Sequence, residues 1–230
     1  MQAPEIDRLI RSRRRTVGLS ITPEGALVVR APLRMPEVSI RAVVAEKADW
    51  ILRKQALARR RGAPPVHAYR EGELFLYLGE PYAFHFDAGS PGVRLTSSIG
   101  PSGTAGTLTL PPCPPEEAKK RLAAWYQKEA RQVFLARVAA YGPKLGVAPA
   151  AVRLSSAKGR WGSCSRTGVN LVWRLVMAPP AVIDYVVAHE LAHMLHPDHS
   201  AAFWKEVERV FPGWKAQRKW LRDNGAQLIL

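Results

Sequence analysis

Apolar and polar positions alternate, or β-branched residues run together, over residues 16–22 (TVGLSIT) and 26–31 (ALVVRA). The two stretches flank Pro23-Glu24-Gly25, so they predict a β-hairpin. The period changes over 37–61. Ile40, Val43, Val44, Trp50, Ile51 and Leu52 recur at helical spacing, with Lys47 interrupting the stripe. One long helix is expected there. Its end, Arg59-Arg60-Arg61-Gly62, places cations before a glycine, a helix C-terminal signature. Residues 63–112 are rich in Pro, Gly and Ser and carry short strand candidates at 73–79, 82–88, 93–98 and 107–110. Residues 116–141 then predict a second long helix, with Leu122, Trp125, Tyr126, Val133, Phe134, Val138 and Tyr141 on one face.

Beyond Gly142-Pro143 the pattern gives a short strand at 152–154, a polar turn region (SSAKGRWGSCSRTG, 155–168) and a strong strand at 169–177 (VNLVWRLVM). Pro179-Pro180 opens a helix over 181–196, as proline is tolerated in the first turn. Pro197 stops it. Ser200 is a good N-cap for a helix over 201–211, and a last short helix runs to about Asn224. The class is α+β. The PPCPP stretch at 111–115 suggests a division into a β-rich N-terminal region with one long helix (1–112) and a helical region with a short sheet (113–230). No internal repeat is present.

Composition narrows the setting. The 230 residues suffice for a real core, and an apolar fraction of 47% argues against disorder. The two cysteines, Cys113 and Cys164, form no CxxC pair, which argues against a disulfide framework or a cysteine zinc cluster and favours a reducing cytoplasm. The N-terminus lacks the apolar run of a signal peptide. The most apolar stretch is broken by Arg174, a proline pair and Asp184, so no membrane span is expected. The net charge of +15 predicts nonspecific attraction to DNA or other polyanions. Its basic runs are Arg11 with Arg13–Arg15, Arg59–Arg61, Lys119–Arg121, and Lys215 with Arg218, Lys219 and Arg222. Such runs are usually solvated faces. Trp214 and Trp220, beside the last run, are packing residues in the common case and base-stacking platforms in the other.

The chemistry concentrates in residues 189–204, HELAHMLHPDHSAAFW, which hold four of the six histidines. His189-Glu190-Leu191-Ala192-His193 is HExxH. Residues i and i+4 share a helix face, roughly 6 Å apart along the axis, so two imidazoles converge on one ion. Glu190 then reaches a bound water without ligating the metal. Catalytic zinc takes three protein ligands and keeps one position open. His196 faces the right way but lies about 10 Å further along a continuous helix than His189. His199 follows Pro197, where the chain can fold back. The expected set is one zinc ion on His189, His193 and His199 with Glu190 as general base. His196 is read as solvated or supporting, and His67 and His85 as ordinary surface or packing residues.

Several segments resemble the YgjP-like family of bacterial metallopeptidase-type proteins, related to SprT and Wss-type zinc proteases. They are Gly159–Cys164 (GRWGSC), Asn170–Leu175 (NLVWRL), Ala178-Pro179-Pro180, and Val186–His193 with His199-Ser200 and Phe203-Trp204. The match is specific across about 152–204. The resemblance implies a zincin-like catalytic region over 113–230 and the same zinc ligands and base. It also implies two activities: proteolysis near nucleic acid, as in the SprT and Wss-type relatives, or nucleoside triphosphate (UTP) pyrophosphohydrolysis, proposed for the YgjP branch.

The RWGSC segment has no ligand spacing with the histidines. It reads first as a glycine turn with Trp161 packed on the core. The second reading makes it a rim of the cleft, with strand 169–177 pairing with an extended substrate. Arg160, Trp161, Asn170 and Arg174 are then candidate cleft contacts, and Cys164 a transient zinc ligand. The expected function is zinc-dependent peptide hydrolysis, acting on a protein or peptide substrate. The alternatives are a metal-dependent pyrophosphohydrolase and a nucleic-acid-binding protein with structural zinc. Phosphoryl chemistry usually prefers oxygen-coordinated Mg²⁺ or Mn²⁺, and the chain shows no acidic cluster for such ions.

Overall fold

A computed structural model describes residues 4–61, 65–97, 104–165 and 167–230. Gly62, the expected helix terminator, and Ser98, the last residue of an expected strand, lie outside them. The architecture is α+β, with six α-helices and three small mixed sheets among the described residues. No described helix is long and apolar enough to cross a membrane. The chain forms two compact units, Met1–Pro65 and Val66–Leu230.

In the first unit the expected hairpin is β2 (Gly18–Ile21) and β3 (Leu27–Pro32), antiparallel. A third strand, β1 (Arg8–Ser12), pairs parallel to β3. Its sequence, RLIRS, is too charged to show strand alternation. The guanidinium of Arg11 donates to the carbonyls of Pro32, Leu33 and Met35, so one member of the first basic run fastens the end of β3. The expected long helix is two, α1 (Glu37–Glu46) and α2 (Ala48–Arg61). The interruption falls on Lys47, the residue that breaks the apolar stripe. Leu27, Val29, Ala31, Ile40, Val44 and Ile51 form this unit's core.

The second unit begins well before the proline-rich stretch at 111–115. Its four strands, β4 (Leu74–Tyr77), β5 (Glu80–Phe86), β6 (Arg94–Ser97) and β7 (Gly106–Leu110), form a sheet in the order β4-β5-β7-β6. Phe75, Phe84, Leu108 and Leu110 of that sheet share one core with Leu122, Tyr126 and Phe134 of α3 (Pro115–Leu145). This packing places residues 66–112 with the helical half, where the sequence suggested a boundary at 112/113. The buried positions of α3 run Ala118, Leu122, Tyr126, Ala130, Phe134, Val138, Gly142. A four-residue step exceeds the helical turn, so the buried stripe winds slowly around the helix.

The β4–β5 turn holds the segment that leads into the next helix. Leu78 and Gly79 donate backbone N–H groups to the carbonyls of Val176 and Met177. Gly79 has φ +86, and a Cβ there would stand 2.8 Å from Pro179 Cα. Only glycine allows this approach to the start of the next helix. Residues 169–177 are not one strand. β10 (Gly168–Val172) gives way to a 3₁₀-helix, Trp173–Met177. β10 is also the centre of its sheet, between parallel β8 (Val152–Ser155) and antiparallel β9 (Gly162–Ser165). It therefore has no free edge for a substrate. The free edge near the cleft belongs to β9, which the sequence reading took for a turn.

Candidate metal centre

α4 (Pro180–Ala192) carries the HExxH residues through the core, with Val182, Ile183, Val186, Val187, Ala188, Leu191 and Ala192 buried around it. The half-buried Arg137–Asp184 ion pair (3.2 Å) ties it to α3. The helix ends at Ala192, earlier than the expected 196, and His193 is its C-cap residue. The next turn tightens: Met194 N–H donates to Leu191 and Leu195 N–H to Ala192, bonds of the i→i−3 type. The His193 ring then donates through Nδ1 to the His196 carbonyl (3.1 Å). His196 thus serves through its backbone, orienting a ligand and leaving His193 Nε2 free.

Pro197 and Asp198 reverse the chain. The Ser200 hydroxyl accepts from Phe203 N–H and caps α5 (Ala201–Val210). This turn delivers His199 to the helix face. The Nε2 atoms of His189 and His199 face each other at 3.1 Å, and ligand atoms of His189, His193 and His199 all lie within 4.8 Å of one another. Two nitrogens on one tetrahedral zinc would stand about 3.3 Å apart. The three imidazoles fit that ion, and they are the only such cluster among the described residues. Phe203 is fully buried, with its ring 4.5 Å from His193 and 4.9 Å from both His189 and His199. Burial, reinforced by His193, His199 and Arg218, lowers the His189 pKa to about 3, so the ring stays neutral and able to ligate. Its Nδ1 is buried without a hydrogen-bond partner.

Glu190 is 7% exposed and opens onto a cavity of about 800 Å³. Burial raises its pKa to about 7, with the charge of Arg160 opposing. Above it lies β9. A Cβ on Gly162 would fall 2.5–2.6 Å from Glu190 Cγ, Cδ and Oε1. The carboxylate therefore occupies the space a side chain at 162 would need.

The cavity gathers His189, Glu190, His193 and His199 with Arg160, Trp161 and the whole of β9. Of the other expected cleft contacts, Asn170 and Arg174 stand behind it. Asn170 donates to Ser163 Oγ across the sheet. Arg174 donates to the Ala157 carbonyl and stacks on Trp173, whose indole holds Ser156, so both fasten the loop that carries Arg160. Cys164 lines the cavity but is not among the clustered ligands, and burial, aided by Glu190, raises its thiol pKa. Tyr185 and Leu221 are lining residues the sequence reading did not single out. Tyr185 lies one turn before His189, a spacing that marks it on the same face. Leu221 arrives on α6 (Trp214–Asn224), and no local signal announces it.

A three-histidine cluster beside a buried glutamate at the floor of an open cleft defines a metallopeptidase-type centre. The family model for the YgjP-like metallopeptidase domain matches residues 15–224, and the chain belongs to that family. Among solved structures, it is similar to the metallopeptidase zymogen of Pyrococcus abyssi abylysin: 27% identity, 40% of this chain and 90% of that one covered, TM-score 0.34. No curated protein matches.

Proposed function

We propose that the protein is a zinc-dependent peptidase in which Glu190 is the general base. The observation that carries this reading is the juxtaposition of Glu190 with the three-imidazole cluster, under the free edge of β9. When bound, zinc supplies Lewis acidity toward water and toward a substrate carbonyl. Glu190 takes one proton from the attacking water as its oxygen bonds to the carbonyl carbon. The same carboxyl returns that proton to the amide nitrogen as the C–N bond breaks. The edge of β9 offers backbone N–H and C=O groups to an extended peptide.

A triphosphate substrate finds less support. Ions for phosphoryl transfer want oxygen ligands, and the described residues offer a metal only imidazoles. Purely structural zinc is normally closed by four protein ligands, against the three gathered at an open cavity. The net charge of +15 supports nonspecific attraction of the protein to polyanions.

The test is hydrolysis of an unfolded protein and of nucleoside triphosphates by the zinc-loaded chain. Glu190→Gln should keep its zinc and lose peptide hydrolysis by about 10²–10⁴-fold. His199→Ala should lose zinc, whereas His196→Ala should retain most of it, because the carbonyl that holds His193 remains. Cleavage of triphosphates alone, or full activity in Glu190→Gln, overturns the reading.

A further inference from the structure

Two guanidinium groups beside the metal centre have no hydrogen-bonded partner among the described residues. The first is Arg160, exposed, lining the cavity from the loop that precedes β9. The second is Arg218 on α6. That helix meets the site through Leu221, which lines the cavity, and through Gly225, which lies against the Trp161 ring. Arg218 sits one turn before Leu221. Its guanidinium lies over Trp204 (5.2 Å) and Trp214 (5.9 Å). Those indoles stack on each other at 4.1 Å, and Trp204 stacks on His199 at 5.6 Å and stands 5.7 Å from His189. Arg218 is thus exposed yet held on a ring platform continuous with a zinc ligand.

On α6, Lys219 and Arg222 pair with Asp223, and Lys215 lies over the Trp214 ring. Arg160 and Arg218 make no ion pair with any described residue. Glu190 is the one carboxylate among the described residues lining the cavity, and it is buried at the floor. Arg160 thus brings an exposed guanidinium to the cavity wall, and Arg218 holds a second one on the indoles beside His199. A guanidinium meets a carboxylate through two parallel N–H bonds, and one already ordered on aromatic rings loses less entropy in doing so.

We infer that the cleft selects peptides with Asp or Glu side chains flanking the scissile bond, and that Arg160 and Arg218 are the residues that determine this specificity. The inference rests on the peptidase reading. A peptide carboxylate fits better than a triphosphate because β9 supplies four residues of free sheet edge for an extended backbone, alongside the two cations.

The experiment uses the zinc-loaded full chain carrying Glu190→Gln and three labelled peptides of one sequence, with Glu, Gln or Lys flanking the target bond. Anisotropy should show the Glu peptide binding on the order of fivefold tighter than the Gln peptide, with the Lys peptide weakest. Added salt should narrow the gap. Arg218→Glu and Arg160→Glu, each in that background, should shift preference toward the Lys peptide, a reversal that a folding defect cannot produce. With Glu190 present, the acidic preference should appear in KM more than in kcat. Equal binding of the three peptides, or an unreversed preference in both charge swaps, overturns the inference. Peptide cleavage without charge preference overturns it alone. Failure of the Glu190-bearing protein to cleave any peptide, with a nucleoside triphosphate displacing the labelled peptide, overturns the peptidase reading with it.

Discussion

Glu190 and Gly162 act as one unit, though they come from different elements and only one of them carries a functional group. The carboxylate lies where a Cβ at 162 would be, so the glycine sets the position of the proposed base. Gly162→Ala should push the Glu190 side chain aside while leaving the imidazoles in place. A displacement near 1 Å costs catalysis about a hundredfold. The expected outcome is therefore a fall of that size in kcat with unchanged zinc content; loss of zinc, or no change in rate, would show that Gly162 does something else. At this scale the clustering of His189 and His193 with Glu190 beside them was legible because HExxH is a local pattern, fixed by helical period within five residues. His199 was legible because Pro197 excludes a continuous helix beyond it. Gly162 was not. Its role depends on the Leu171–Gly162 register of β9 against β10 and on how β9 covers α4. Asn170 and Arg174 show the converse: polar residues beside a motif that bond to β9 and to the 155–160 loop and do not line the cleft.

Elements followed their periodicity where burial was one-sided and departed from it where burial was complete. α3, α5 and α6 lie where the apolar stripes put them. The run 169–177 is buried at every position but the half-buried Asn170 and Arg174, so its pattern alone does not distinguish strand from 3₁₀-helix. β9 escaped notice because Gly-Ser-Cys-Ser has turn composition, while its strand form comes from pairing with β10. The segment entering β4 makes a test of its own. Burial alone would raise the Glu73 pKa, but donors from Arg70 N–H, His67 and Ala68 N–H together hold it below the usual value. His67, expected to be ordinary, joins this carboxylate and stacks on Phe75 at 4.4 Å. With the folded pKa depressed, the stabilisation is fully present above the unfolded pKa of about 4.5 and is lost as pH falls through the lower folded value. Glu73→Gln should lower the midpoint of thermal unfolding at neutral pH and reduce its loss on acidification. A variant with the unaltered acid dependence would remove Glu73 from that account.

Across the whole molecule, the three clustered histidines, the proposed zinc ligands, bridge the end of α4 and the turn before α5, both inside the unit Val66–Leu230. Binding to the folded state alone stabilises by about 4 kcal/mol when free metal is a thousandfold above Kd. Chelation should therefore lower the unfolding transition of that unit and leave the transition of Met1–Pro65 in place, as read by calorimetry on the full chain. A shift of both transitions, or of neither, would contradict this division of stability. The unit boundary itself was hidden in the sequence. PPCPP at 111–115 looks like a linker, but the aromatic residues before it complete the core formed by the residues after it.

The near-parallel indoles of Trp204 and Trp214, 4.1 Å apart at 17°, have an optical consequence. At that separation their electronic transitions mix, and the pair absorbs as one chromophore with a split circular-dichroism band. One of its rings rests on His199 and a guanidinium lies over its edge. Metal arriving at the imidazole and an anion arriving at the guanidinium perturb the same chromophore. The unlabelled protein thus carries a spectral gauge that reports both ends of its cleft.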